Sequence, residues 1–98
     1  MILLDQALEK SKNLFSDGEF ITKLSSLVSL VTDSKNSTSN DDLTNYYYKG
    51  LLGILVELGI QTKIIDNPIK NCPPFLIGTR IESPRLNTIL LYGHGDTV

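Results

Sequence analysis

The sequence predicts an α/β fold in which helices come first and strands follow. Within residues 1 to 59, apolar residues recur at three- and four-residue spacing in three segments, which is the period of an α-helix. Three later segments, between residues 60 and 93, are instead short and rich in β-branched residues. The last segment is nearly all apolar from Ile89 to Leu91, as in a strand covered on both faces. We therefore expect three helices packed on a sheet of three strands.

The first two helices are predicted from apolar spacing and from a break between them. The first should run to about Leu14 or Phe15. In the following "SDGE" segment, Ser16 precedes Glu19 by three residues, which is the spacing of a capping box at the start of a second helix. That helix should continue to about Val31, because its apolar residues make one continuous face.

A polar loop and a third helix come next. The tract "TDSKNSTSNDD" is too polar to be buried, so Thr32–Ser39 should be an exposed loop. Asn40, Asp41 and Asp42 suit the start of a helix, where carboxylates meet free amides, and Gly59 suits its end.

Within this helix, Gly50 and Gly53 are expected at points of close packing. Tyr46, Tyr47 and Tyr48 are expected to serve core and surface packing, because no basic groove accompanies them as it would in a base-stacking platform.

The three strands are predicted at residues 60 to 66, 74 to 82 and 87 to 93. The turn signals "NPIKNCPP" and "SPRL" separate them.

Composition excludes several classes of function. Nine basic and eleven acidic side chains are scattered along the 98 residues, so we expect no nucleic-acid partner. The longest apolar stretch, residues 51 to 60, is about half the length that a bilayer span needs, so no membrane segment is expected. The amino terminus does not read as a signal peptide, which makes a cytoplasmic protein the expectation. Cys72 is the only cysteine, so an internal disulfide is excluded.

His94 and Asp96 follow the last predicted strand, at the edge of the sheet where ligands gather in α/β folds. Residues two apart in extended backbone point the same way, so both side chains can face one site. The imidazole can offer a nitrogen to a divalent metal while the carboxylate orients the ring. Gly93 and Gly95 would leave room around the histidine for a metal or substrate. Spacing alone leaves a second interpretation open, a turn after a strand with no metal, since a lone H-x-D is a weak motif.

The segment "LLYGHGDTV" resembles the strand and loop that open the metal site in a family of dinuclear-zinc hydrolases. This family contains aminoacylase, acetylornithine deacetylase, succinyl-diaminopimelate desuccinylase, carboxypeptidase G and related dipeptidases. The resemblance extends backwards in order through "LIGTRI", "QTKIIDN", "KGLLGILVELGI" and "SSLVSLV", so that it covers roughly residues 17 to 98.

The resemblance implies a fold, a reaction and a site. The chain would be the amino-terminal portion of a single three-layer α/β/α catalytic domain of the zinc-exopeptidase type, without its lid domain. His94 would bind one of two zinc ions, and Asp96 would be the catalytic-site carboxylate that positions its imidazole. The family's bridging aspartate, glutamate pair, further acidic ligand and final histidine do not occur in this pattern within residues 1 to 98.

The reaction implied is amide hydrolysis in N-acyl amino acids or small peptides by a metal-activated water. The family's dimer contacts usually lie in the lid domain, which leaves a homodimer open for the full-length protein, and the 98-residue chain alone should be inactive. The alternative from another class is a small non-catalytic α/β interaction module, or an inactive remnant.

Overall fold

The computed structural model describes residues 2 to 33 and 41 to 97. Its helical elements are α1 (Ile2–Ser16), α2 (Glu19–Val28), α3 (Asp41–Asn45), the π-helix π1 (Tyr46–Leu51) and α4 (Leu52–Glu57). The last three adjoin one another, so residues 41 to 57 form one helical segment with a π-helical middle. The three predicted helices are therefore present. The second ends about three residues before the expected Val31.

The junction between α1 and α2 is not the predicted capping box. The Ser16 hydroxyl donates to the carbonyl of Lys12, inside α1, at 2.8 Å. The residue that caps α2 is Gly18, with φ 78° and no side-chain cap. The left-handed conformation at Gly18 makes the turn itself, and the rings of Phe15 and Phe20 meet across it with centroids 6.1 Å apart. The turn between the helices therefore rests on a glycine and an aromatic contact.

The third helical segment ends as predicted and packs through one of its two glycines. Gly59 has φ 70°, which glycine adopts without strain just past a helix end. A Cβ on Gly50 would lie 2.8 Å from the Leu27 side chain and 3.0 Å from that of Leu30, so this glycine lets α2 approach closely. Around Gly53 the described residues leave open space, and its predicted packing role is wrong.

The polar loop can be described only at its start. Thr32 and Asp33 are half-buried, whereas residues 34 to 40, including the predicted helix start at Asn40, lie outside the described part of the chain. Asp41 and Asp42 do lie in the first turn of α3, as expected.

Two of the three predicted strands form, and they pair as an antiparallel hairpin. These are β1 (Gln61–Ile65) and β2 (Phe75–Thr79), in a register that sets Lys63 opposite Ile77. The connecting loop is closed by Asn67, whose amide donates to the Pro73 carbonyl at 3.0 Å. The described residues therefore form a mixed α/β structure with a small antiparallel sheet.

The third predicted strand is wrong: residues 87 to 93 belong to no strand. This segment is highly exposed, with Leu90 at 92% and Tyr92 at 90%. β-propensity reflects packing against neighbouring strands, and this segment has no described strand beside it. Pairing resumes only at Thr97, in an isolated parallel bridge to Asp33.

The described chain has little core. Leu43 is the one buried residue, at 7% exposure. The radius of gyration is 16.0 Å, against about 13 Å for a compact chain of this length. The helices do not all pack on the sheet as predicted: α4 contacts β1, whereas α1 packs on α2 and α2 on π1. None of the described helices is long and apolar enough to cross a membrane.

Leu43 and Leu90 allow the same substitution to be compared in opposite environments. Leu43→Ala should destabilise the fold by about 2–3 kcal/mol, because it leaves a cavity at the one buried site. Leu90→Ala should change stability by less than about 0.5 kcal/mol, because its side chain already lies in solvent. Urea unfolding followed by circular dichroism measures both, and equal losses would contradict this description of the core.

Candidate metal-binding site

His94 and Asp96 lie side by side. His94 Nδ1 is 3.0 Å from Asp96 Oδ1, and the side chains are 64% and 30% exposed. A carboxylate can only accept, so the contact requires a proton on Nδ1. In the neutral ring this leaves Nε2 with the lone pair that a metal needs. The expected pairing of these side chains is present, although the segment that carries them, residues 91 to 96, is irregular rather than the end of a strand.

Thr97, just after Asp96, is bonded to the segment that follows α2. The Thr97 amide donates to the Thr32 carbonyl at 2.8 Å, and the two threonine hydroxyls are 3.1 Å apart. Thr97 also forms the parallel bridge to Asp33. The contacts between Thr32 and Thr97 join residues 65 positions apart, so they place this segment in the tertiary structure.

Gly95, between His94 and Asp96, packs on the aromatic ring of Tyr46. A Cβ built on Gly95 would collide with Cε1 of this ring and would lie 3.0 Å from Cζ. A Cβ built on Gly93 would meet no heavy atom of the described residues within 4 Å. The expectation that both glycines leave room for a ligand is therefore wrong for Gly95, where Tyr46 occupies the space.

Tyr47 connects the same region to the hairpin. Its hydroxyl donates to the Pro74 carbonyl at 3.0 Å, directly before β2. Burial raises the pKa of Tyr47, and the negative charge of Asp96 raises it further. The Asp96 carboxylate therefore acts on both its histidine neighbour and the half-buried phenol.

Tyr46, Tyr47 and Thr32 were not expected beside the site. Sequence reasoning assigned the tyrosines to packing, which is what they do, but it could not tell what they pack against. One local feature of the structure does point to these residues as neighbours of a site. Tyr46 begins π1, and π-helical turns occur frequently at functional sites.

The donor set that the described residues provide is small. In residues 2 to 33 and 41 to 97, no group of three or more His, Cys, Asp or Glu side chains is placed to hold a metal ion. A catalytic zinc ordinarily has three protein ligands. Within this part of the chain, His94 is thus one donor with a supporting carboxylate.

An open cleft lies elsewhere, between the end of α4 and the end of β2. Its lining includes Arg80, whose guanidinium donates to the Leu58 carbonyl and contacts Glu82, both at 2.7 Å. His94 and Asp96 do not line the cleft. The Arg80 charge is engaged within the protein, and the cleft is separate from the pair formed by His94 and Asp96.

Comparisons with protein-family models, with curated proteins and with solved structures found no match to this chain.

The raised pKa of Tyr47 makes its contribution to stability depend on pH. The folded chain holds the phenolic proton more tightly than the unfolded chain does, so this contribution is full below pH about 10 and is lost as the pH rises through the raised pKa. Tyr47→Phe removes the hydrogen bond to Pro74 and should cost about 1 kcal/mol at neutral pH.

The difference in free energy of unfolding between the wild type and Tyr47→Phe should become smaller in alkaline solution. Urea unfolding at neutral pH and above pH about 10 measures it, with the exposed Tyr48→Phe as the matched control. A difference that is constant across this range would contradict the assigned burial of the Tyr47 hydroxyl.

Proposed function

We propose that this chain is the amino-terminal part of a zinc-dependent amidohydrolase with two metal ions, in which His94 binds one zinc. The observation that carries the proposal is the 3.0 Å contact between His94 Nδ1 and Asp96 Oδ1. Histidines that bind metals commonly donate their second ring nitrogen to a carboxylate, which selects the tautomer and makes the ring a better donor. The ordered sequence resemblance to the dinuclear-zinc hydrolases supports the same interpretation.

The residues present fit such a role without completing it. His94 would hold the metal through Nε2, and Asp96 would hold the Nδ1 proton. A bound zinc pair would supply a water of lowered pKa and stabilise the developing oxyanion during amide cleavage. The remaining ligands and the general base would come from polypeptide outside residues 1 to 98.

The exposure of residues 89 to 92 also supports a larger domain. Ile89, Leu90, Leu91 and Tyr92 are each at least 82% exposed. A contiguous apolar segment on a surface marks a site that another element covers. In the proposed three-layer α/β/α domain, this segment would become a strand once neighbouring strands supply its hydrogen bonds.

The proposed substrates are N-acyl amino acids or small peptides, and the proposed setting is the cytoplasm. A homodimer would involve a lid domain outside this chain. These proposals rest on the resemblance.

A non-catalytic interaction module is the second candidate, because the same exposed apolar segment could bind a partner protein. The sequence that follows residue 98 discriminates the two. An aspartate, then a Glu-Glu pair and a late histidine would support the hydrolase. A stop codon directly after residue 98 would support the module or an inactive remnant.

The 98-residue chain should bind zinc weakly, because one imidazole with a neighbouring carboxylate cannot fill the coordination sphere of a catalytic zinc. Calorimetric titration should show no saturation at micromolar zinc, and N-acetyl-amino-acid hydrolysis should be absent. Tight binding at one zinc per chain would contradict the incomplete site.

In the longer chain that the proposal requires, His94→Ala should lower kcat/KM for amide hydrolysis by roughly a thousandfold, because it removes a ligand of the metal that stabilises the transition state. Asp96→Asn should keep the metal bound and lower kcat/KM by about 10–100-fold, because it alters only the orientation of the ring. The matched control is Asp66→Asn, at an exposed carboxylate just after β1, which should have no effect.

Metal content by atomic absorption should accompany each assay of the longer chain. Full activity in the His94→Ala protein would refute the assignment of this motif.

A further inference from the structure

The backbone between His94 and Asp96 lies against an aromatic ring. A Cβ on Gly95 would collide with Tyr46 Cε1, and it would lie 3.0 Å from Cζ and 3.1 Å from Cδ1. Three atoms of one ring edge therefore line the position where any other residue would carry its side chain. The ring contacts the peptide that joins the two polar residues of the site.

Tyr46 itself is held in place by the helix that carries it. Its ring also lies near Gly50, whose Cβ position is 3.7 Å from Tyr46 Cδ2. Gly50 in turn packs on the side chains of Leu27 and Leu30. The next residue, Tyr47, is bonded through its hydroxyl to the Pro74 carbonyl. The ring is therefore tied through its neighbours to α2 and to the hairpin.

The His94–Asp96 contact needs such support. Both side chains are partly in water, where a single ion pair or hydrogen bond gains little against the entropy of two freely rotating side chains. No strand holds the backbone from residue 87 to residue 96. A restraint on the backbone at Gly95 would help to keep the two side chains together.

We propose that Tyr46 is a positioning residue, whose ring fixes the backbone at Gly95 so that Asp96 holds the Nδ1 proton of His94 and leaves Nε2 for a ligand. The value of this arrangement for zinc binding rests on the proposed function, whereas the positioning itself does not. Asp96 sets the tautomer directly, and Tyr46 acts through the backbone.

The same geometry explains why glycine stands between the two polar residues. Gly95 is not among the glycines with positive φ, so its backbone conformation is open to other residues. The Tyr46 ring is what lies closest to the position of a side chain there. A substitution at Gly95 should therefore be harmful because of Tyr46, and one at Gly93, where nothing lies within 4 Å, should be harmless.

His94 is the only histidine, so its ring nitrogens can be observed without assignment ambiguity. Long-range proton–nitrogen NMR on the neutral imidazole measures the ratio of the Nδ1–H to the Nε2–H tautomer. In the wild type the Nδ1–H form should dominate. Tyr46→Ala should lower the ratio by about fivefold, the factor that corresponds to the loss of one ordinary hydrogen bond.

Two controls on π1 separate positioning from general stability. Tyr46→Phe keeps the ring and should keep the ratio. Tyr48→Ala removes an exposed ring from π1, two residues after Tyr46, and should also leave the tautomer ratio unchanged. A ratio that stays at the wild-type value in Tyr46→Ala, with helical circular dichroism unchanged, would overturn the proposal.

Comparing Gly95→Ala with Gly93→Ala tests the positioning role of Tyr46 even if the Tyr46→Ala variant does not fold. Gly95→Ala should lower the tautomer ratio about fivefold, and Gly93→Ala should leave it unchanged. If Tyr46→Ala folds, adding Gly95→Ala to it should cause little further loss, because the colliding ring is gone. Equal ratios in the two glycine variants would overturn the proposal.

This experiment contains no metal and measures no hydrolysis. Tautomer ratios that do not change as expected would therefore refute the positioning role of Tyr46. They would not bear on the zinc proposal, which is tested by metal binding and hydrolysis. An inactive longer chain would remove the proposed function and leave the role of Tyr46 in place.

Discussion

The placement of the candidate site depends on the contact between the Tyr46 ring and the backbone at Gly95. Residues 87 to 96 lie outside any strand, and most of their side chains are exposed. Packing on Tyr46 restrains the backbone before Asp96, and the Thr97–Thr32 hydrogen bond restrains it after Asp96. By restraining the backbone on both sides, these contacts favour the 3.0 Å contact between His94 and Asp96 over other arrangements of the two side chains.

The small core shows which part of the structure is established by local interactions. Helices satisfy their backbone hydrogen bonds within the segment, and a hairpin satisfies many of its own between two neighbouring strands. Both form here, although Leu43 is the one buried residue in the described chain. A single apolar segment without a neighbouring strand can do neither, which explains why residues 89 to 92 belong to no strand and are exposed.

This difference also explains what the sequence could and could not predict. The helical period, the glycine at 59 and the two β-rich segments are local signals, and each led to an element that forms. The third strand and the room beside Gly95 depend on which distant residues lie alongside, which no spacing encodes. The pairing of His94 with Asp96 could be predicted because the two residues are only two positions apart. The contact of Tyr46 with Gly95 could not, because those residues are about fifty positions apart. The capping box failed because Gly18 made the turn by its own conformation.

The most direct test of this account is a nuclear Overhauser measurement on the 98-residue chain between the Tyr46 ring protons and the two α-protons of Gly95. The account predicts strong effects from the ring to these protons, together with chemical shifts of the Gly95 α-protons displaced from random-coil values by the ring current. Random-coil shifts at Gly95 with no effect from Tyr46, in a chain whose α4 and β1 signals show native packing, would contradict it.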